Sequence, residues 1–353
     1  MPSPHAVVAM SGGVDSSVAA SLLVEAGYRV EGVSLRLWDS PRRDDRVCSD
    51  HRDAGRVAAA LGIPHTLIDQ RGAFERAVVA PFAVAYASGR TPNPCVACNG
   101  EFKLGVLLEW ALARGADVVA TGHYARVECR GSRRILRRAT DSTRDQSYFL
   151  FTLGQRQLAR AVFPLGEWSK AEVRRRAAER GLPVADKLDS QDLCFGDPAA
   201  LVRSRGLGRA GGEVVDGRGE PLGRHDGVEG FTIGQRRGLG LSAAAPLYVR
   251  AIDGESGRVV VGPAPPQSTE LAASGWRWID RPAAEDEPLV AQIRYRQSPL
   301  PVRVREGTEG RMRVIFDRPA LAVAPGQAVV VYRGDEVVGG GWIDRPIAAD
   351  ARP

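Results

Sequence analysis

Short apolar runs alternate with segments of helical period through the first third of this chain, and that alternation constrains the fold more than any other feature. HAVVAM, VEGVSLRLW, IPHTLID and ADVVATGHYARV each read as a strand. Between them VAASLLVEAG, DAGRVAAALG and FKLGVLLEWALARG carry apolar residues at helical spacing, the first two closed by Gly27 and Gly62 where a left-handed residue stops a helix. Strands separated by helices do not pair as hairpins. The expected fold class is therefore α/β, a parallel sheet with helices on its faces and ligands at the carboxyl ends of its strands.

The texture changes near residue 190. A capping-box start, Ser169-x-x-Glu172, opens the last clear helix, and glycine-rich charged stretches such as GRAGGEVVDGRGEPLGRHDG follow. From about residue 265, LVAQIRYR, VRVRE, GRMRVIF, QAVVVYR and EVVGGGWI alternate and are separated by turn residues, the pattern of an all-β barrel. The expected organisation is a catalytic domain over 1–190, a small central adaptor over 191–264 and a C-terminal β barrel over 265–353. With 353 residues and 44% hydrophobic content, two or three cores can be built. No eighteen apolar residues run together, and no basic region precedes the short apolar stretch Ala6 to Met10, so a cytoplasmic chain without membrane contact is expected.

The net charge of +6 fits a polyanionic partner such as nucleic acid. Of the 48 basic residues only Lys103, Lys170 and Lys187 are lysines, and tracts such as Arg174 to Arg176 fit either an RNA contact or a solvated helix face. Five scattered cysteines, an odd number, do not make the framework of a disulfide-rich secreted domain; they point to thiol chemistry or metal binding.

SGGVDS, Ser11 to Ser16, falls between the first strand and the first helix, where backbone amides and a helix N-terminus converge on an anion. Gly12 and Gly13 allow close approach, and Ser11 and Ser16 add hydroxyls. Asp15 beside a phosphate calls for Mg²⁺ or an orienting hydrogen bond. No Gly-Lys-Ser/Thr follows, so this is not a Walker A loop; the plainer alternative is an ordinary glycine turn. SGGxDS resembles the signature of PP-loop ATP pyrophosphatases, which bind the β,γ-pyrophosphate and transfer AMP to a substrate oxygen. Glutamine-dependent members often carry a cysteine at residue 2, where this chain has proline.

In TPNPCVACNG, Cys95 and Cys98 stand behind a rigid Pro-Asn-Pro turn, and Cys194 lies in DSQDLCFGD. Together with AMSGGVDSSVAA, ATGHYAR, DSTRDQSYFLFTL, FTIGQRRGLGL, RYRQ and PGQAVVVY...GGGWI, these blocks resemble tRNA-specific 2-thiouridylases from end to end. The resemblance implies that ATP activates the 2-carbonyl of the anticodon wobble uridine and that sulfur then replaces the oxygen, with soft thiolate or persulfide sulfur near the phosphate loop. It implies a catalytic role for Cys98 and a persulfide on Cys194. Cys95 departs from the best-studied branch, where an aspartate is proposed to assist acid/base chemistry. Two arrangements follow. Cys95, Cys98 and Cys194 could hold a 4Fe-4S cluster with one iron open, or Cys98 could close a disulfide on Cys194 to release its sulfur. A third uses Cys48-x-x-His51 with Cys95 and Cys98 as a zinc site; otherwise His51 is a polar residue at a helix entry. Cys129 reads as a packing residue.

The resemblance assigns to ATP the positions Ala9, Met10, Ser11, Gly12, Gly13, Val14, Asp15 and Ser16, with Gly122 and the backbone of Leu35. Lys103, a lysine in a chain that nearly always uses arginine, points to a compact ammonium on the α-phosphate. To tRNA the resemblance assigns Asn93, Pro94, Cys95, His123, Arg144, Asp145, Gln146, Arg294, Tyr295 and Gln327. RYRQ read by itself is equally a strand with outward arginines. The implied cofactors are ATP and Mg²⁺, and the implied partners are the anticodon stem-loop and a sulfur donor. An anticodon loop is already single-stranded, which makes extrusion of the wobble base cheap. Other readings are a PP-loop ligase acting on a small metabolite and a non-catalytic metal-binding RNA-interaction protein. Salt-sensitive tRNA binding and tRNA-dependent ATP turnover separate the three.

Overall fold

The computed structural model describes residues 2–39, 51–189, 193–208, 211–284 and 287–348. Cys48 and the zinc reading that needs it lie outside them. Among the described residues the strands form three sheets, and no helix is long and apolar enough to cross a membrane.

The first sheet is the expected parallel one. Its strands are β1 (His5–Ala9), β2 (Arg29–Arg36), β3 (His65–Asp69), β4 (Val118–Thr121) and the short β7 (Ala161–Val162), in the order β3-β2-β1-β4-β7. β1 is central because it is apolar on both faces: Val7 packs into one core with Val33, while Ala6 and Val8 pack into another. Helix α1 (Val14–Glu25) buries Val18, Ala19, Ala20 and Leu23, and Gly27 stops the chain with φ +82°. His51 opens α2 (His51–Leu61), as expected of a helix-entry residue. Arg71–Phe74, Glu75–Val79 and Ala80–Ala87 run on as α3.

Three expectations are corrected. The helix read as starting at Phe102 begins at Pro94: Pro94–Ala97, a wide turn over Cys98–Val106 and Leu107–Leu112 run on as α4, so Cys95 and Cys98 lie on a helix rather than in a turn before one. ADVVATGHYARV is not one strand. It breaks after Thr121, and β5 (Ala125–Arg130) with β6 (Arg133–Arg138) forms an antiparallel hairpin that leaves the first sheet. Cys129, on that hairpin, is exposed and packs into no core.

β8 (Gly212–Val215), β9 (Pro221–His225), β10 (Tyr248–Asp253) and β11 (Arg258–Gly262) make the central four-stranded sheet. The last strands are β12 (Gln267–Trp278), β13 (Leu289–Gln292), β14 (Leu300–Glu306), β15 (Met312–Leu321), β16 (Ala328–Arg333) and β17 (Glu336–Ala348). They pair in the order β12-β15-β14-β13-β16-β17, and β12 pairs again with β17, closing an antiparallel barrel with no free edge among them. The β5–β6 hairpin docks on this barrel: Arg137 pairs with Glu336 in the ladder, Arg126 binds Asp335 at 2.7 Å, and Arg130 binds Glu336 at 2.9 Å. Leu136, Tyr148, Ala328 and Tyr332 share one core with Val7, so the first sheet and the barrel are joined by packed apolar side chains.

Candidate active site

The turn between β1 and α1 is built from its own hydroxyls. Gly12 takes φ +71°, open to glycine without strain. The Ser16 hydroxyl accepts from the Ser11 amide at 3.1 Å and donates to the Gly13 carbonyl at 3.2 Å; the Ser17 hydroxyl donates to the same carbonyl at 2.8 Å. The first-turn residues Val14, Asp15 and Ser16 line a cleft of about 540 Å³, so the amide end of α1 faces into it.

Asp15 is held from two sides. Its Oδ1 accepts from the Tyr124 hydroxyl at 2.8 Å and from Lys170 Nζ at 2.7 Å. Burial, and then the neighbouring Asp15 carboxylate, push the Tyr124 phenol up, so it stays a donor. Lys170 is the first residue of α5 (Lys170–Glu179), behind the Ser169–Glu172 capping box, with its side chain 10% exposed. Its Nζ also reaches Asp189 Oδ1 at 2.7 Å. Asp15 Oδ2 carries no hydrogen bond among the described residues, which leaves one carboxylate oxygen suited to a Mg²⁺ that arrives with the nucleotide.

Gly122 ends β4 against the start of α1. A Cβ there would lie 2.6 Å from the Ser16 amide nitrogen and 2.8 Å from the Asp15 carbonyl carbon, both backbone atoms that cannot turn away. Gly122→Ala is expected to push the phosphate turn off its strand, at a cost of about 1–3 kcal/mol, and to abolish nucleotide binding. Denaturant melts and nucleotide titration check this together.

His123 is buried. Thr121 Oγ1 lies 2.7 Å from its Nδ1 and Asn99 Oδ1 lies 3.2 Å from its Nε2, so Nε2–H donates to Asn99 and Nδ1 accepts from Thr121. Burial first, then the nearby Lys103 ammonium, hold its pKa well below the usual 6.5. The unfolded chain binds a proton near pH 6.5 that the folded site refuses. His123 therefore contributes no pH dependence above about pH 6.5 and a loss of stability below it, up to about 1.4 kcal/mol per pH unit. Melting temperatures between pH 7 and pH 5 should fall less steeply in His123→Gln.

Through Asn99, His123 is tied to the helix of the thiols. Pro94 takes the first position of α4, where a missing amide hydrogen costs nothing, and places Cys95 and Cys98 in its opening turns. The barrel fixes this entry: Gln327 donates to the Thr91 carbonyl at 2.7 Å, Thr91 donates to the Pro325 carbonyl at 2.8 Å, and Gly326, at φ +92°, lies against Pro92. Cys194 also lines the cleft, beside Phe195, whose ring packs on Phe82 at 4.9 Å and Trp38 at 6.3 Å.

The cleft thus brings together the phosphate turn, Leu35, Gly122, Lys103, all three cysteines and His123. Pro94, Arg144, Gln146 and Tyr295 also line it. Four of the assigned tRNA positions stand back. Asn93 caps α4 in extended conformation behind Pro94. Asp145 is 7% exposed and accepts from the Ala139 and Ser147 amides, the Ser147 hydroxyl and Arg138. Gln327 holds the Thr91 loop. Arg294 donates to the Leu321 carbonyl at 3.0 Å, while Arg296 lines the cleft. RYRQ is a turn beyond the end of β13, not a strand, and Arg296 takes φ +63°, unusual for a side chain-bearing residue.

Among the described residues no group of three or more His, Cys, Asp or Glu side chains is gathered closely enough to hold a metal ion. The three thiols share the cleft. Tyr124, Lys170, Asp189 and Arg296 were not singled out from sequence as site residues. Lys170 had one signal, its place among only three lysines. The arginine tract is spent inside the molecule: Arg174 binds Asp189, Arg175 pairs with Glu179, and Arg176 binds Glu25.

A parallel sheet whose first strand turns through glycines and serines into a helix, with an oriented carboxylate in its opening turn, defines a PP-loop nucleotide-binding protein of the ATP pyrophosphatase class. Residues 4–197 match the family described as tRNA methyl transferase HUP domain, 204–263 the tRNA methyl transferase PRC-barrel domain and 268–343 the aminomethyltransferase beta-barrel domain. The chain is 48% identical to the tRNA-specific 2-thiouridylase MnmA of Syntrophotalea carbinolica, covering 96% of this chain and 98% of the relative. It is 47% identical to that of Geobacter metallireducens, over 96% of each, and 46% identical to that of Chloroflexus aurantiacus, over 98% and 99%. The chain belongs to the tRNA-specific 2-thiouridylase family.

Proposed function

We propose that this protein uses ATP to replace the 2-oxygen of the wobble uridine in tRNA anticodons with sulfur, releasing AMP and pyrophosphate. The observation that carries the reading is one cleft lined both by the phosphate turn and by thiols from two separate segments, Cys98 and Cys194. The α1 amides, Ser11 and Ser16 receive the pyrophosphate; Asp15 would hold Mg²⁺, which supplies charge neutralisation to the leaving group. Lys103, which pairs with no carboxylate among the described residues and lines the cleft, would meet the α-phosphate. Arg144, Gln146, Tyr295 and Arg296 face the RNA, with arginine and an aromatic ring suited to phosphates and an unstacked base.

The sulfur step uses these two thiols. A terminal persulfide sulfur on Cys194 attacks C2 of the adenylated uridine, and AMP leaves with the oxygen. The Cys98 thiolate then attacks Cys194 Sγ, forming a Cys98–Cys194 disulfide and releasing 2-thiouridine. A persulfide donor must reload Cys194 and a dithiol must reduce the disulfide. The reading places the protein in the cytoplasm, with its tRNA, ATP and sulfur donor. Its test is AMP formation with and without unmodified tRNA. Turnover that depends on tRNA is expected; equal turnover without it would favour a small-metabolite ligase.

A further inference from the structure

Asp189 is the most heavily shared carboxylate in the cleft. It accepts from Lys170 at 2.7 Å, Arg174 at 2.9 Å and Arg144 at 2.9 Å. Two of these donors have a second allegiance. Lys170 Nζ sits equally close to Asp15 in the phosphate turn, and Arg144 lines the cleft on the side assigned to RNA, with its side chain 32% exposed. Lys170 cannot exchange its partners for water, since its side chain is only 10% exposed and its helix is pinned by the Ser169 cap and by Asp141, which accepts from the Lys170 amide. Any change in what Asp15 binds is therefore felt at Asp189 through one ammonium group.

We propose that Lys170 and Asp189 form a positioning pair that couples nucleotide binding to tRNA binding. Nucleotide with its metal draws on Asp15, Lys170 settles on Asp189, and Asp189, now better neutralised, loosens its hold on Arg144, which turns to an RNA phosphate. In the reverse direction an RNA phosphate takes Arg144, Asp189 keeps Lys170, and Asp15 is freed for the nucleotide. The two directions have the same sign, as linkage requires. The inference rests on the functional reading above.

The test is binding, not turnover. The dissociation constant of unmodified tRNA is measured by fluorescence anisotropy on the full chain, with and without saturating α,β-methylene-ATP and Mg²⁺. In the unaltered protein the nucleotide should tighten tRNA by about fivefold or more, and tRNA should tighten the nucleotide by the same factor. In Asp189→Asn and Lys170→Met the factor should fall to within about twofold of unity, and Lys170→Arg should restore most of it. Arg144→Gln, at a partly exposed position, gives a second route to the same loss if the buried variants fail to fold. A factor of one in the unaltered protein, or an unchanged factor in Asp189→Asn, overturns the coupling. Unaltered protein that binds the nucleotide but not tRNA at low salt takes down the functional reading, and the coupling with it.

Discussion

Asp15→Ala should reduce tRNA-dependent AMP release to background, with a loss of at least about 10²–10³-fold, the scale on which removing one oriented charge from a transition-state site acts. Two effects add. The alanine removes the carboxylate that completes the phosphate turn, and it leaves the Lys170 ammonium, which bridged two carboxylates at 2.7 Å each, paired with Asp189 alone. The Tyr124 hydroxyl also loses its 2.8 Å acceptor, at about 1–3 kcal/mol for an unsatisfied buried donor. Asp15→Asn separates these contributions, because its amide oxygen can still accept from Tyr124 while its charge is gone. The account expects Asn to recover most of the melting temperature lost in Ala and little of the turnover. Recovery of turnover with Asn would mean that Asp15 acts only as a hydrogen-bond acceptor.

The second large effect is a split between the two half-reactions. Cys194→Ser keeps the phosphate turn, Gly122 and Lys103 intact, so adenylation should persist with AMP appearing only by slow hydrolysis of the activated base. No 2-thiouridine should form. Cys98→Ser should instead stop after sulfur has reached the base, leaving Cys194 disulfide-linked to tRNA. That adduct is resolved by added dithiol and seen as a retarded band on a non-reducing gel. Both substitutions exchange one half-buried chalcogen for another of similar size, so melting temperatures should barely move.

The parallel sheet was legible because strands and helices differ in period and because each helix ended on a glycine at the right place. Gly27 and Gly62 have φ of +82° and +65°, as the sequence pattern required. The reading failed where tertiary pairing overrides local pattern. Residues 116–127 look like one strand, yet Gly122 must press its backbone on α1, so the chain turns there and its second half pairs with another strand near the barrel. RYRQ alternates like a strand but lacks a partner beyond Gln292, and it turns inward instead. For the site, motifs located the phosphate turn and all three thiols. They could not tell which of the two arginines flanking Tyr295 enters the cleft, Arg294 or Arg296, since the chain turns there with Arg296 at φ +63°. Nor could they find Tyr124, Lys170 and Asp189, which act through contacts 109, 155 and 19 positions apart in the chain. No local pattern marks such pairs.

In the proposed mechanism sulfur passes through Cys194 and Cys98 to a base activated by ATP. That path is tested most directly by a single-turnover reaction of protein persulfidated at Cys194 with unmodified tRNA and ATP, followed by mass spectrometry of the nucleosides and of the protein. The account predicts one 2-thiouridine per AMP released, with a Cys98–Cys194 disulfide in equal amount. Anaerobically purified protein that carries about four irons per chain and loses thiolation in Cys95→Ala would contradict it.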